Sequence, residues 1–327
     1  MATANHVPKI KFLQVKTFQL LALLAVIMVA IFFAPGPHNA SQRLSVSKGA
    51  SLTSLSHQLS QAGLVHSGWV FRLGARLQGQ AGGLHAGEFD LPARASMATI
   101  LEIFIRGEVV LYPVALPEGL TSQQTIERLE GLAFLNGDVA IPPEGSLLPE
   151  TYHVPRGFSR AQLIAQMRQA QDDMLAQMWG QRSDNLPFQS RSEAAVLASI
   201  VEKETALESE RPLVAAVFIN RLRKNMRLQS DPTIVYGLVG GVGSLGRPIR
   251  RSEIRRKTDY NTYRIEGLPP TPIANFGRAA LHAVLHPAET KALYFVANGE
   301  GGHVFADSLE AHERNVRKWR QIEGGSR

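Results

Sequence analysis

A carboxylic acid on the apolar side of a helix is a place where general-acid chemistry can be built, and residues 192–210, SEAAVLASIVEKETALESE, supply one. Ser192 suits a helix N-cap, Glu193 suits the positive end of the helix dipole, and no Pro or Gly interrupts the segment through Glu210. The segment is therefore predicted to be helical. At about 100° per residue, Ala194, Leu197, Ile200, Val201 and Leu207 share one side, and Glu204 projects from the middle of it. Glu202, about 160° away by the same turn, shares a face with Ser199 and points elsewhere. Burial disfavours the charged form of a carboxyl, so Glu204 either keeps its proton and acts as an acid or finds a structural partner such as a buried Arg. The helix alone leaves both readings open.

Composition sets the surroundings of that acid. The chain has 327 residues, 44% of them hydrophobic, which suits two modest domains with real cores. It has no cysteine, which excludes thiolate metal sites, disulfides and a cysteine nucleophile. A net charge of +7 and a pI near 9.8 point to an anionic neighbour: nucleic acid, phospholipid or an acidic cell-wall polymer.

The N-terminal segment discriminates among these. Lys9, Lys11 and Lys16 precede an apolar run over 17–34, with LLALLAVIMVAIFF at its heart and Pro35 at its end. This is about the length that spans a bilayer. Cations without acids on its N-terminal side keep residues 1–16 cytoplasmic and send the rest outside. A cleaved signal peptide is the rival reading, but the run is long for one and no small-x-small site follows it. In a bacterium the rest of the chain is then periplasmic or extracytoplasmic, which demotes nucleic acid as a partner.

The elements that must position the acid follow in two parts, and the expected fold class is α+β. Residues 41–108 read as a small domain: a strand at LSVSK, helices over 51–62 and 67–78, a strand at LHAGEFDL, and a helix over 96–106 closed by Gly107. That order is similar to the LysM module, which binds glycans; a plain packing or spacer domain fits equally. Residues 109–327 read as the catalytic domain. They begin with a strand over 111–118 and a helix from Thr121 or Ser122. A shaped loop, IPPEGSLLPETYHVP, carries Glu144, Glu150 and Tyr152, and a long helix follows over 159–182.

Beyond the Glu204 helix, PLVAAVFINRLRK reads as a second helix ended by Asn225, and MRLQSDPTIVYG as a short strand, a turn and an apolar segment. The polar trio Gln229, Ser230 and Asp231 sits at that turn. The glycine-rich 237–246 matches no nucleotide-binding loop and reads as a loop or flap. The basic run RPIRRSEIRRK is either a solvated face or a contact for anionic substrate or headgroups. Residues 259–263, DYNTY, form a cluster of the kind that meets sugar hydroxyls and ring faces. LYFVA and HVFA, joined through glycines, read as a hairpin before a closing helix.

Other chemistries fail on their own terms. His282 and His286 have metal-pair spacing but no accompanying acid-bearing pattern, so no metal is expected. Serine acylation would require K-T-G, and Lys257-Thr258 is followed by Asp259.

Six stretches in order carry a family resemblance: EGSLLPETY, ASIVEKET, VFINRL, RLQSDPTIVYG, YNTY…GLPPTPI and LYFVANGEGGHVF. The chain resembles the membrane-bound endolytic murein transglycosylases, the MltG or YceG-like family, over nearly all of its extracytoplasmic length. The resemblance implies an inner-membrane anchor, a LysM-like subdomain, and a catalytic domain that cuts peptidoglycan glycan strands internally and limits their length. It places the catalytic acid at Glu204 and puts Glu150, Tyr152, Gln229, Asp231, Asn261 and Tyr263 in the cleft. It implies no cofactor, and peptidoglycan synthases are partners on the family's account alone. Phe276 departs from the family's NPG turn, and AHERNV varies on a pattern with Asn soon after the His.

The reaction expected is a lytic transglycosylation. Glu204 would protonate the oxygen between N-acetylmuramic acid and N-acetylglucosamine, then take the proton of the muramic 6-hydroxyl as it closes on the anomeric carbon. A lysozyme-type hydrolase would need a second carboxylate such as Asp231 or Glu150. A membrane-tethered glycan-binding scaffold would need no chemistry from Glu204.

Overall fold

A computed structural model describes residues 7–80 and 82–325; residues 1–6 of the expected cytoplasmic tail lie outside the described residues. The chain forms two compact units, one comprising residues up to Tyr112 with His153–Arg156, the other Pro113–Tyr152 with Gly157 onward.

The first unit opens with helix α1 (Val7–Phe33), whose Val15–Phe33 portion is 19 residues long with a mean hydropathy of 2.3. It is long and apolar enough for a single-pass membrane anchor. Then follow β1 (Gln42–Val46), α2 (Leu52–Gln61), α3 (Gly68–Leu77), β2 (Gly87–Leu91) and α4 (Met97–Arg106). Each of the three short helices starts on a serine, Ser51, Ser67 or Ser96, whose side chain accepts a backbone N–H three residues on. Gly107 ends α4 in the left-handed conformation, at φ 66°. The expected strand–helix–helix–strand order is present, with β1 and β2 antiparallel and Leu44 opposite Phe89. Phe89 and Phe104 meet edge to face at 4.8 Å inside this unit's core.

The strand β3 (Leu111–Ala115) leads to α5 (Ser122–Glu130), where Thr121 and Gln124 form a reciprocal capping box. Short strands β4 (Leu135–Asn136), β5 (Thr151–Pro155) and β6 (Phe158–Ser159) precede the long helix α6 (Arg160–Trp179). Next come α7 (Arg191–Glu204), α8 (Arg211–Arg223), α9 (Asp231–Val239), α10 (Arg251–Arg255) and α11 (Arg278–Leu285). Strands β7 (Tyr294–Ala297) and β8 (His303–Ala306) and helix α12 (Leu309–Gly325) complete the chain. The strands pair two by two: β1 with β2, β3 with β5, β4 with β6 in parallel, and β7 with β8 in the expected hairpin. The mixed helix and strand content agrees with the α+β expectation.

The core of the second unit is helical. Leu197 and Ile200 of α7, Val214 and Phe218 of α8, and Leu281 and Val284 of α11 belong to one buried cluster. Every residue of α7 from 194 to 201 is buried, so this helix is enclosed on all sides instead of showing one apolar stripe. Ser199 is accommodated by donating to the Val196 carbonyl at 2.7 Å and accepting from the Ile273 N–H at 3.0 Å. Phe276, at the departure from the family's turn, is fully buried in the same cluster.

Four local expectations are corrected. Helix α7 is capped by Ser190, not Ser192, because Glu193 reaches back to the Ser190 N–H at 3.0 Å while the Ser190 hydroxyl accepts from Glu193. It also stops at Glu204: Thr205 is extended, and Leu207, expected on the buried side, is 41% exposed. The segment after Arg227 is not a strand. Gln229 takes a left-handed φ of 56°, and α9 begins at Asp231 with Pro232 in its first turn, where a fixed φ suits a helix start. The first residues of the glycine-rich stretch are the last turn of α9, which ends at Gly240 with φ 62°.

Candidate active site

Because α7 ends at Glu204, that carboxyl lies where an enclosed helix emerges. It faces a cavity of about 370 Å³ that is also lined by Phe218, Arg221, Gln229, Asp231, Tyr263, Tyr294 and His312. The carboxyl is partly open to the cavity and otherwise surrounded by protein. Burial pushes its pKa up to about 7, Asp231 pushes in the same direction, and a hydrogen bond from Ser230 opposes them. Ser230 Oγ donates to Glu204 Oε1 at 2.5 Å.

That serine is itself held from two sides. Its N–H donates to Thr262 Oγ1 at 2.9 Å, and its carbonyl accepts from Thr233 Oγ1 at 2.6 Å. The hydroxyls of Thr233 and Thr262 are 2.8 Å apart. A buried knot of hydroxyls thus joins the start of α9 to the 259–263 run and aims one of them at the acid.

Asp231, in the first turn of α9, accepts a hydrogen bond from Tyr263 Oη at 2.7 Å. Burial and this acid neighbour raise the Tyr263 phenol above its ordinary range, so it stays a donor. Gln229 is fixed by its left-handed backbone and by Arg221, whose Nη1 donates to Gln229 Oε1 at 3.0 Å and to the Arg227 and Leu228 carbonyls. Arg221 Nε donates to the Leu293 carbonyl at 2.7 Å, and the guanidinium lies over the Tyr294 ring at 5.0 Å. One arginine therefore fastens the Gln229 turn to the hairpin. Burial lowers its pKa from the ordinary arginine value.

The other acid of EKE has a different task. Glu202 accepts from Arg211 Nη2 at 3.0 Å and from the Gly277 N–H at 3.0 Å, and its side chain is 4% exposed. Arg211 also pairs with Glu118. Burial raises the pKa of Glu202, aided by Glu118 and opposed by the Gly277 N–H and by Arg211. This is the buried-arginine role that the helix alone left open for Glu204, and it falls to Glu202.

Of the six residues expected to bind substrate, Gln229, Asp231 and Tyr263 line the Glu204 cavity. Asn261 is buried, with its Nδ2 donating to the Glu253, Ile254 and Arg256 carbonyls, and its Oδ1 accepting from the Tyr263 N–H. Its place is inside the loop that presents Tyr263. Glu150 and Tyr152 do not line this cavity; Tyr152 Oη donates to the Leu148 carbonyl at 2.9 Å.

Ser230, Arg221, Tyr294 and His312 were not singled out as site residues. Ser230 lies within the polar trio, Arg221 within VFINRL, Tyr294 within LYFVANGEGGHVF and His312 within AHERNV, stretches whose resemblance marks the family without assigning these four a place in the cleft. His312 stacks on Tyr294 at 5.0 Å, and its buried Nδ1 has no hydrogen-bond partner among the described residues.

Asp231 also lines a second cavity, of about 340 Å³, with Thr121, Gln124, Lys203 and Tyr236. The two cavities sharing Asp231 suit a chain-like ligand with many hydroxyls. Larger cavities of about 510 and 630 Å³ lie elsewhere in the unit, but neither contains a carboxyl raised to neutrality beside a directed hydroxyl.

The comparisons with known proteins agree with one another. A model described as the YceG-like family matches residues 44–318. The chain is 30% identical over 323 residues to the endolytic murein transglycosylase of Streptococcus pneumoniae serotype 2, covering 84% of this chain and 57% of that protein. It thus spans little more than half the length of its streptococcal relatives. It is 26% identical over 308 residues to the endolytic murein transglycosylase of Bacillus subtilis, covering 84% of each. A yceG-like protein of Listeria monocytogenes, solved at 2.6 Å, matches with a TM-score of 0.52 at 26% identity, covering 84% of this chain and 98% of that one.

Proposed function

The chain belongs to the YceG-like family, and from that membership and the cleft geometry we propose that it is an endolytic murein transglycosylase with Glu204 as its acid and base. The observation that carries this reading is a carboxyl raised to about pKa 7, held by Ser230 and opening into a polar, aromatic cleft. A group of that pKa is protonated in much of the population at neutral pH and can still accept a proton afterwards.

In the proposed reaction Glu204 donates to the bridging oxygen as the bond to the muramic anomeric carbon breaks. The muramic 6-hydroxyl oxygen then bonds to that carbon, and its proton returns to Glu204. The products are a 1,6-anhydromuramic end and a free 4-hydroxyl on the released glucosamine. No water enters. Ser230 holds the carboxyl in one rotamer through both steps. Gln229, Asp231 and Tyr263 supply acceptors and donors for sugar hydroxyls.

The same reading makes α1 an inner-membrane anchor, with Lys9, Lys11 and Lys16 on the cytoplasmic side and the chain beyond α1 in the periplasm. The β1-α2-α3-β2 order supports a LysM-like module over 41–108. Internal cutting by an anchored enzyme would limit strand length near the membrane, where synthases add to strands.

The test is mass spectrometry of products after full-length protein in detergent meets peptidoglycan strands, beside Glu204→Gln. Anhydro-ended internal fragments from the native protein alone are expected. Reducing ends would replace this reading with a hydrolase using Asp231, and cleavage by neither would favour a glycan-binding scaffold.

A further inference from the structure

The end of α1 does not stand free of the first unit. Phe32 is buried in that unit's core at 5% exposure, with Met28 and Ile31 packed against the same cluster. The approach to α3 is close: a Cβ built on Gly74 would lie 2.2 Å from the Phe32 ring. Glycine is what lets the two helices touch there.

Beside this contact α3 presents an apolar stripe. Trp69, Leu73 and Leu77 recur every four residues, and Trp69 is 56% and Leu77 80% exposed. Leu73 and Leu77 line an apolar groove of about 200 Å³ with Met28 and Phe33 of α1. By helical turn, Arg72 and Arg76 flank the stripe on the side away from that groove.

Length decides what covers this surface. The apolar part of α1 has 19 residues, which is about 28 Å of helix, against a hydrocarbon core of about 30 Å. No length is spare. If α1 spans the bilayer, its last two turns lie within the outer leaflet, and those are the turns against which α3 packs.

Resting on the reading of α1 as an anchor, we infer that α3 is an interfacial helix: Trp69, Leu73 and Leu77 insert beside α1 into the outer leaflet of the membrane, and Arg72 and Arg76 bind phospholipid phosphates. An exposed tryptophan next to aliphatic residues, backed by arginines, is what a bilayer interface accommodates. The first unit is then seated on the membrane by two helices instead of swinging on one.

The chain has no cysteine, so single spin labels can be introduced cleanly. Full-length V26C, L77C and T53C proteins would be reconstituted in vesicles of phosphatidylethanolamine and phosphatidylglycerol, and collision rates measured with oxygen and with a water-soluble nickel chelate. The V26C label tests the anchor, because Val26 is mid-span and 64% exposed. Expected are oxygen rates severalfold above nickel rates at V26C and L77C, and the reverse at T53C on α2. A lipid signal at V26C with an aqueous one at L77C overturns the inference and keeps the anchor. An aqueous signal at V26C overturns the anchor reading itself. An L77C label shielded from both reagents overturns the inference in favour of a protein partner, and spin dilution shows whether that is a second copy.

Discussion

Ser230 Oγ lies 2.5 Å from Glu204 Oε1, so the serine that starts a helix at one turn of the chain holds the acid that ends a helix at another. The relationship couples the position of the acid to its proton affinity. The hydroxyl favours the charged carboxylate, burial favours the protonated form, and the balance lies near neutrality.

Replacing the acid tests the chemistry. Glu204→Gln keeps the shape and a hydrogen-bonding side chain but has no proton to lend. Release of anhydro-ended fragments should fall by a factor of about 100 or more, the scale of general-acid catalysis. Quantitative mass spectrometry of the products measures it.

The pH profile follows from the raised pKa. The first step of the proposed reaction needs the protonated acid, so kcat should fall as pH rises through about 7. Ser230→Ala removes a bond that favours the carboxylate, so the falling limb should move to higher pH while kcat drops by about three- to tenfold from lost positioning. A limb that moves to lower pH would contradict the assigned role of Ser230.

The same shift makes the acid a burden on stability. Folded Glu204 holds its proton up to about pH 7, whereas in the unfolded chain it ionises near 4.5. Between those values rising pH takes protons from the unfolded state first, so its contribution to stability falls and stays low above them. Glu204→Gln should therefore be more stable than the native protein at pH 8, by about 1–3 kcal/mol, and show little or no gain at pH 4. Urea melts at the two pH values measure this.

Glu202 should behave as a structural acid. Arg211→Met leaves its carboxyl buried beside Gly277 without a cation, and should cost about 3–5 kcal/mol in denaturant melts. Lowering the pH toward the range where Glu202 takes up a proton should recover part of that loss.

Asn261 and Tyr263, two residues apart, should separate cleanly. Asn261→Ala frees three backbone carbonyls and should lower stability by about 1–3 kcal/mol. Tyr263→Phe removes one cleft-lining hydroxyl bonded to Asp231, and should reduce kcat/KM on glycan strands with little change in melting. Thermal melts and kinetics on both variants check the division.

Much of this protein is determined by neighbours in sequence. The apolar run of α1, the caps at Ser51, Ser67, Ser96 and Thr121, the left-handed Gly107 and the β7–β8 hairpin all follow from local propensities. So does the separation of Glu202 from Glu204, because two residues on a helix always point apart. Local rules faltered where two answers were nearly equal. Ser190 and Ser192 both offer a cap, and only Glu193 reaching back to Ser190 chose between them. Residues after Glu204 carry no helix breaker, yet the helix ends there.

The tertiary structure decided what surrounds each acid. Helical phase set Glu202 and Glu204 apart, but their partners lie far along the chain: Gly277 is 75 residues from Glu202, and Ser230 is 26 from Glu204. It likewise put Asn261 inside its loop and Tyr263 on the cleft, and brought Tyr294 and His312 to the same cavity. A pKa near 7 belongs to no residue type. It arises from how much water and which donors the folded chain leaves around one carboxyl, and those are set only when distant segments meet.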